Sequence, residues 1–149
     1  MKPFARMTRL VASGAAQGAA IGMMLLVPSL AAAEPRLTIE LNKLEDTAEG
    51  CRSLFVFDNR TGHELNRFRI DLILFDQAGV YAKQLMLDMA PLYDDKKVLA
   101  SFPLVDQPCA SIGSILVNDL PYCENGSGAQ VDCVALLEVE SRTDVPLEK

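Results

Sequence analysis

The stretch Leu65–Asp76 has the sequence LNRFRIDLILFD, and its alternation of residue types decides the fold class. Four apolar side chains share one parity: Phe68, Ile70, Leu72 and Leu74. The other parity is polar at first and apolar later: Arg67, Arg69, Asp71, Ile73 and Phe75. Because successive side chains of a strand point to opposite faces of a sheet, the pattern predicts a long central β-strand.

Six further segments are rich in apolar, β-branched and aromatic residues and are separated by turns of Gly, Pro, Asn and Asp: residues 36–44, 51–58, 80–89, 98–104, 112–120 and 133–142. Segment 80–89 fits either a strand or a short helix, and its alternation together with the short QAG link favours a hairpin strand. We expect Pro121 to end the strand at 112–120 and the tail at 143–149 to be frayed.

These seven predicted strands, with no convincing amphipathic helix, indicate an all-β protein. Their number and length favour an antiparallel sandwich of two sheets, and a small closed barrel is the alternative. The chain has no tryptophan, so it lacks the buried tryptophan of antibody domains.

The first thirty-three residues have the pattern of a secretory signal peptide. Lys2, Arg6 and Arg9 precede an apolar stretch, and Ala31 and Ala33 occupy the small-residue positions of a cleavage site. Gly18, Gly22 and Pro28 interrupt the apolar stretch, which argues against a membrane anchor. We therefore expect an exported, periplasmic protein with one domain at residues 34–149.

The predicted mature chain has 149 − 33 = 116 residues and a formal charge of (14 − 3) − 20 = −9. One domain of this length can bury a core. Its negative charge argues against nucleic acids and against anionic membrane surfaces as partners after the signal is cleaved.

The four cysteines are expected to form disulfides, because their count is even and the chain is predicted to be exported: Cys51, Cys109, Cys123 and Cys133. Their spacings do not match the close pairs of structural zinc sites, and no C-x-x-C redox motif is present.

The strand order favours one of the three possible cysteine pairings. Cys51 opens the second predicted strand and Cys109 precedes the sixth, so both lie at one end of an up-and-down arrangement. Cys123 follows the sixth strand and Cys133 opens the seventh, so these two lie at the other end. Bonded cysteines need Cα atoms about 4.4–6.8 Å apart, which favours Cys51–Cys109 and Cys123–Cys133.

The segment between Leu54 and Phe102 resembles the FxLYD-type module of exported bacterial proteins. The matching positions are Asn59, Thr61, Gly62, Phe75, Asp76, Gly79 and Phe102. The chain departs from that pattern where LYDDKK replaces the usual Pro-Gly turn. The whole chain also resembles small cysteine-containing periplasmic proteins of alphaproteobacteria. This resemblance implies an immunoglobulin-like sandwich and implies no reaction.

No catalytic residue, cofactor or metal site is predicted. The single histidine, His63, lies in a turn without a nucleophile beside it, and Asp76 is expected to cap a glycine turn. The adjacent Asp94 and Asp95 lack the alternate spacing of a calcium loop.

The candidate binding surface comprises Ile73, Phe75, Leu92 and Tyr93, with Met86 as a further exposed candidate. The sequence thus predicts a non-enzymatic periplasmic accessory domain that binds an unidentified protein partner in the cell envelope. A periplasmic protein that binds a small ligand or a metal is the alternative. An enzyme would require a convergent set of polar side chains, which a single histidine makes difficult to assemble.

Overall fold

The computed structural model describes residues 34–149, and the predicted signal segment lies outside the described residues. Eight strands follow in chain order: β1 Arg36–Thr47, β2 Gly50–Arg60, β3 Leu65–Asp76, β4 Tyr81–Asp88, β5 Lys96–Val105, β6 Ile112–Asn125, β7 Leu137–Ser141 and β8 Leu147–Glu148. A single turn of 3₁₀-helix, Cys109–Ser111, precedes β6. Within this part of the chain no helix has the length and hydropathy needed to cross a membrane.

The strands form two four-stranded sheets packed against each other, which confirms the predicted all-β sandwich. Sheet I has the order β5-β2-β1-β7, and sheet II has the order β4-β3-β6-β8. Every connection except β1–β2 and β3–β4 passes from one sheet to the other. The last two strands differ from the antiparallel expectation, because β7 pairs parallel with β1 and β8 pairs parallel with β6.

The core lies between the sheets and is lined by one parity of each long strand. From β3 it takes the four predicted side chains: Phe68, Ile70, Leu72 and Leu74. From sheet I it takes alternate side chains of β1 and β2: Leu37, Ile39, Leu41, Phe55 and Phe57. The ring of Phe57 meets that of Phe68 edge-to-face with centroids 6.3 Å apart, so the two sheets are joined through aromatic contact.

Segment 80–89 contains the edge strand β4 and no helix. Leu85 and Leu87 alternate with exposed neighbours, as the hairpin interpretation requires. The prediction of a strand here is confirmed.

The two disulfides have the predicted pairing. Cys51 is bonded to Cys109 with their Cα atoms 4.7 Å apart, and Cys123 is bonded to Cys133 with their Cα atoms 6.2 Å apart. Cys109 lies just before β6 and Cys123 lies near its end, so the two bonds bracket this strand. Disulfides of this kind persist in oxidising compartments.

The prediction that Pro121 ends a strand was wrong. β6 continues through Pro121 to Asn125 and contains Cys123, since the strand bulges there and Arg69 then pairs with Tyr122. A proline is tolerated at such a bulge because the ladder does not need its missing N–H group.

The final predicted strand starts later than expected. Cys133 lies in a turn, and β7 begins only at Leu137. The tail is ordered rather than frayed, because Leu147 and Glu148 pair with β6 and the side chain of Leu147 is buried. The parallel pairing of β7 with β1 and of β8 with β6 depends on tertiary packing. The alternation of residue types along a single segment does not predict such pairing.

A buried asparagine organises the turn between β2 and β3. The Asn59 side chain is fully buried, and its Nδ2 donates to the carbonyl oxygens of His63 and Leu92, both at 2.9 Å. Its Oδ1 accepts from the backbone N–H of Thr61 at 3.1 Å and from the Thr61 hydroxyl at 2.8 Å. Asn59 therefore ties the turn to the loop that follows β4.

We expect Asn59→Ala to lower the free energy of unfolding by about 3 kcal/mol, because it leaves several buried polar groups without partners. Chemical denaturation of the oxidised protein measures this. Asn125→Ala is the matched control, since the Asn125 Oδ1 accepts only from exposed groups of its own loop, at Ser127 and Ala129. The control should lose less than about 1 kcal/mol, and equal losses would contradict the assigned role.

The two disulfides should differ in their contribution to the free energy of unfolding, because they close loops of different length. The sequence separation is 58 residues for Cys51–Cys109 and 10 for Cys123–Cys133. On the loop-entropy model, removing the first bond with paired alanines should cost about 4 kcal/mol and removing the second about 3 kcal/mol. Equilibrium denaturation of the two double variants checks the order, and a larger loss for the shorter loop would contradict it.

Candidate functional site

The outer face of sheet II is built by the β3 residues that do not enter the core. Burial of one parity of β3 turns the other parity outward: Arg67, Arg69, Asp71, Ile73 and Phe75. The residues directly opposite on β4 and β6 share this face, because side chains of a cross-strand pair point the same way. The face is polar where β3 begins and apolar where it ends.

The apolar end is a strip contributed by three strands, which we call the apolar strip: Ile73, Phe75, Tyr81, Met86 and Leu116. Leu116 lies opposite Ile73, Tyr81 lies opposite Phe75, and Met86 lies diagonal to Ile73. Tyr81 is 60% exposed and Met86 is 55% exposed, whereas the other three are partly covered.

The polar end is held by ion pairs across the strands. The Arg69 guanidinium donates to both oxygens of Asp88, at 2.7 and 2.8 Å, and these hydrogen bonds lower the pKa of the Asp88 carboxyl. Arg67 Nη1 lies 3.2 Å from Glu124 Oε1, and its guanidinium stacks 3.4 Å from the ring centroid of Tyr122. These contacts order the face.

Asp71 lies at the junction between the two ends and is only 4% exposed. Its carboxylate accepts two hydrogen bonds from Gln84 Nε2, at 2.7 and 2.9 Å, and one from Asn118 Nδ2 at 2.6 Å. Each donor is a neutral amide. Among the described residues, no Lys, Arg or His nitrogen lies within 4 Å of this carboxylate.

The four residues proposed from the sequence as a binding surface do not form one surface. Ile73 and Phe75 lie in the apolar strip. Leu92 is buried and bridges to Leu65, at the other end of β3. Tyr93 is exposed on the loop after β4, where the ammonium group of Lys96 lies 5.1 Å from its ring centroid. Leu92 is thus corrected from a surface residue to a core residue.

Sequence reasoning missed Tyr81 and Leu116 as members of the face. Alternation along one strand gives the facing of its residues, but the cross-strand register decides which residues of other strands are neighbours. The bulges in the β3–β6 pairing shift that register. The signal that was available, the outward parity of β3, identified Ile73 and Phe75.

The remaining candidates have local structural roles. Asp76 Oδ1 accepts from the backbone N–H groups of Ala78 and Val80, both at 2.9 Å, and so caps the glycine turn. His63 is exposed. Asp94 Oδ1 accepts from the N–H group of Gly62 at 3.0 Å. No group of three or more His, Cys, Asp or Glu residues in the described range could hold a metal ion.

The outer face of sheet I differs in that most of its charges are paired. A groove of about 380 Å³ there is lined mainly by charged side chains: Arg36, Thr38, Glu40, Val56, Asp58, Lys97, Glu138, Glu140 and Arg142. Arg142 Nε lies 3.0 Å from Glu40 Oε2, and Lys97 Nζ lies 3.5 Å from Asp58 Oδ2. Arg36 Nε lies 3.9 Å from Glu138 Oε2. The outer face of sheet I is therefore a polar, solvent-facing surface on which charges of both signs lie close together.

No family model, curated protein or solved structure matches this chain. The relation to the FxLYD-type module therefore stays a prediction.

We expect Asp71→Leu to leave the free energy of unfolding within about 1 kcal/mol of the original value or to raise it, because a buried charge is lost and the exposed amides of Gln84 and Asn118 can rehydrate. Thermal and chemical denaturation measure this. A loss above about 2 kcal/mol would show that the fold itself requires the carboxylate.

Proposed function

We propose that this protein is a non-enzymatic, periplasmic accessory protein that binds a protein partner through the outer face of sheet II. The observation that carries the proposal is the apolar strip, in which Tyr81 and Met86 are more than half exposed beside three partly covered apolar neighbours. An apolar patch rimmed by ordered polar groups is typical of protein interaction sites.

The edges of the sandwich are less suited to binding than this face. On the edge strand β4, Lys83 lies opposite the core residue Leu74 and so places a charge on the inward parity. The edge strand β5 carries Lys96, Lys97 and Pro103. The remaining edges, β7 and β8, span only five and two residues. Charges, proline and short length are the features that block strand addition.

A small-ligand binding protein is supported less well. Ligand pockets are usually concave, mostly apolar and about 300–1,000 Å³. The groove on sheet I has a suitable volume but a charged lining. A cavity beside β6, lined partly by Val117, Leu120, Val134 and Leu137, measures about 160 Å³.

The periplasmic location in this proposal is supported by the signal-like residues 1–33 together with the two disulfides.

The proposal is tested by affinity capture from an envelope extract of the cells that make the protein, using the protein expressed from the full 149-residue chain. We expect Met86→Ser to reduce capture of the specific partner at least about tenfold, since a central apolar contact of an interface contributes about 1–2 kcal/mol or more.

The matched control is Leu99→Ser on the outer face of sheet I. Leu99 is 60% exposed and lies opposite Val56, so the control removes a similar exposed apolar side chain from the other face. Capture should survive in this variant. Capture that is lost equally in both variants, or in neither, would overturn the proposal.

A further inference from the structure

The outer face of sheet II has an excess of carboxylates. Five acidic residues lie on it by strand register: Asp71, Asp88, Asp119, Glu124 and Glu148. At the outward positions of the same four strands, β3, β4, β6 and β8, the basic residues are Arg67 and Arg69, so the balance is 2 − 5 = −3. Since each arginine is engaged with its own acid, Glu124 or Asp88, the excess rests on the other three carboxylates.

These three carboxylates lie beside the apolar strip, where Asp71 is opposite Met86 across the β3–β4 pairing. Asp119 lies opposite Asp71 across the β3–β6 pairing, and Glu148 lies opposite Leu116 across the β6–β8 pairing. Within residues 34–149 no ion pair involves any of the three. The neighbouring Lys149 ammonium donates instead to the carbonyl oxygen of Leu137 in sheet I.

Like charges placed opposite one another across strands are destabilising. Asp71 and Asp119 form such a pair, and Asp71 is in addition nearly buried with only amide donors around it. On sheet I, by contrast, Glu40, Asp58 and Glu138 each have a basic partner. The outer face of sheet II therefore carries three carboxylates without a cationic partner beside its exposed apolar side chains.

We propose, as an extension of the function proposed above, that the partner presents a basic and apolar surface to this face. Its apolar side chains pack on the apolar strip, and its Lys or Arg side chains lie against the exposed carboxylates of Asp119 and Glu148. The nearly buried Asp71 adds its negative charge beneath the Gln84 and Asn118 amides. Charge complementarity selects this occupant, because oppositely charged patches steer association and like charges oppose it.

The same charge argues against other occupants. Anionic lipid surfaces and nucleic acids carry the sign that the face repels. A second copy that packed with the same face would place an excess of three negative charges against an equal excess. The face therefore suits a basic protein segment better than a membrane, a nucleic acid or self-association.

The probe is a short synthetic peptide that alternates lysine with valine, and its counterpart alternates glutamate with valine. Both are titrated into the ¹⁵N-labelled protein expressed from the full chain, and amide chemical shifts are followed by NMR. We expect the lysine peptide to shift the amides of Ile73, Met86 and Leu116, and the glutamate peptide to leave them in place. Added salt should weaken the binding.

Two double variants, each of which removes two negative charges, distinguish a local contribution to peptide binding from the effect of the protein's overall charge. Asp119→Asn combined with Glu148→Gln removes two exposed carboxylates from the proposed face and should weaken binding of the lysine peptide at least about threefold. Glu138→Gln combined with Glu140→Gln removes two from sheet I and should change it less than about 1.5-fold. Equal weakening in both variants, or shifts centred on β1 and β7, would overturn the inference.

The outcome is distinguishable from the test of the proposed function. If a captured partner depends on Met86 but neither peptide prefers this face, the accessory function stands and the basic-partner inference fails. If the lysine peptide binds as expected but no capture depends on Met86, the charge preference stands and the proposed protein partner fails.

Discussion

The alternation along β3 is the constraint on which the rest of the structure depends. Burying Phe68, Ile70, Leu72 and Leu74 removes four large apolar side chains from water, and full burial of each contributes about 1.5–3 kcal/mol. A shift of one residue in register would send these side chains to solvent, so the register is strongly specified. The same constraint directs the alternate side chains of β3, from Arg67 to Phe75, to the outer face of sheet II. The candidate binding face is therefore a direct consequence of how the core is built.

Other features hold β3 and its main partner in place. The two disulfides bracket β6, which pairs with β3 over most of its length, and Cys51–Cys109 also ties sheet I to the entry of β6. Asn59 joins the start of β3 to the loop after β4 through the carbonyl oxygen of Leu92. The strands β3 and β6, which carry much of the apolar strip, are thus fixed near both of their ends by covalent bonds or buried hydrogen bonds. Because a rigid face loses little conformational entropy when a partner binds, its rigidity reduces the entropic cost of binding.

Local sequence was sufficient for the existence of seven of the eight strands, the fold class and the disulfide pairing, because each depends on alternation, turn residues or end-matching within a sandwich. It was insufficient where tertiary packing decides. Pro121 is accommodated at a bulge, β7 pairs parallel with β1, and the tail adds β8. Ile73 and Phe75 were identified on the site because their parity alone places them, whereas Leu92 was misplaced in a loop that the Asn59 hydrogen bond draws into the core. Tyr81 and Leu116 required the register between strands.

The central claim is that the outer face of sheet II contacts a partner in the cell envelope. Site-specific photo-crosslinking in living cells tests it most directly, with a benzophenone amino acid incorporated at position 86 in one strain and at position 99 in another. The two sites are similarly exposed and lie on opposite faces of the sandwich. The account predicts a discrete protein adduct from position 86 and none from position 99. An adduct from position 99 alone, or the same adduct from both positions, would contradict it.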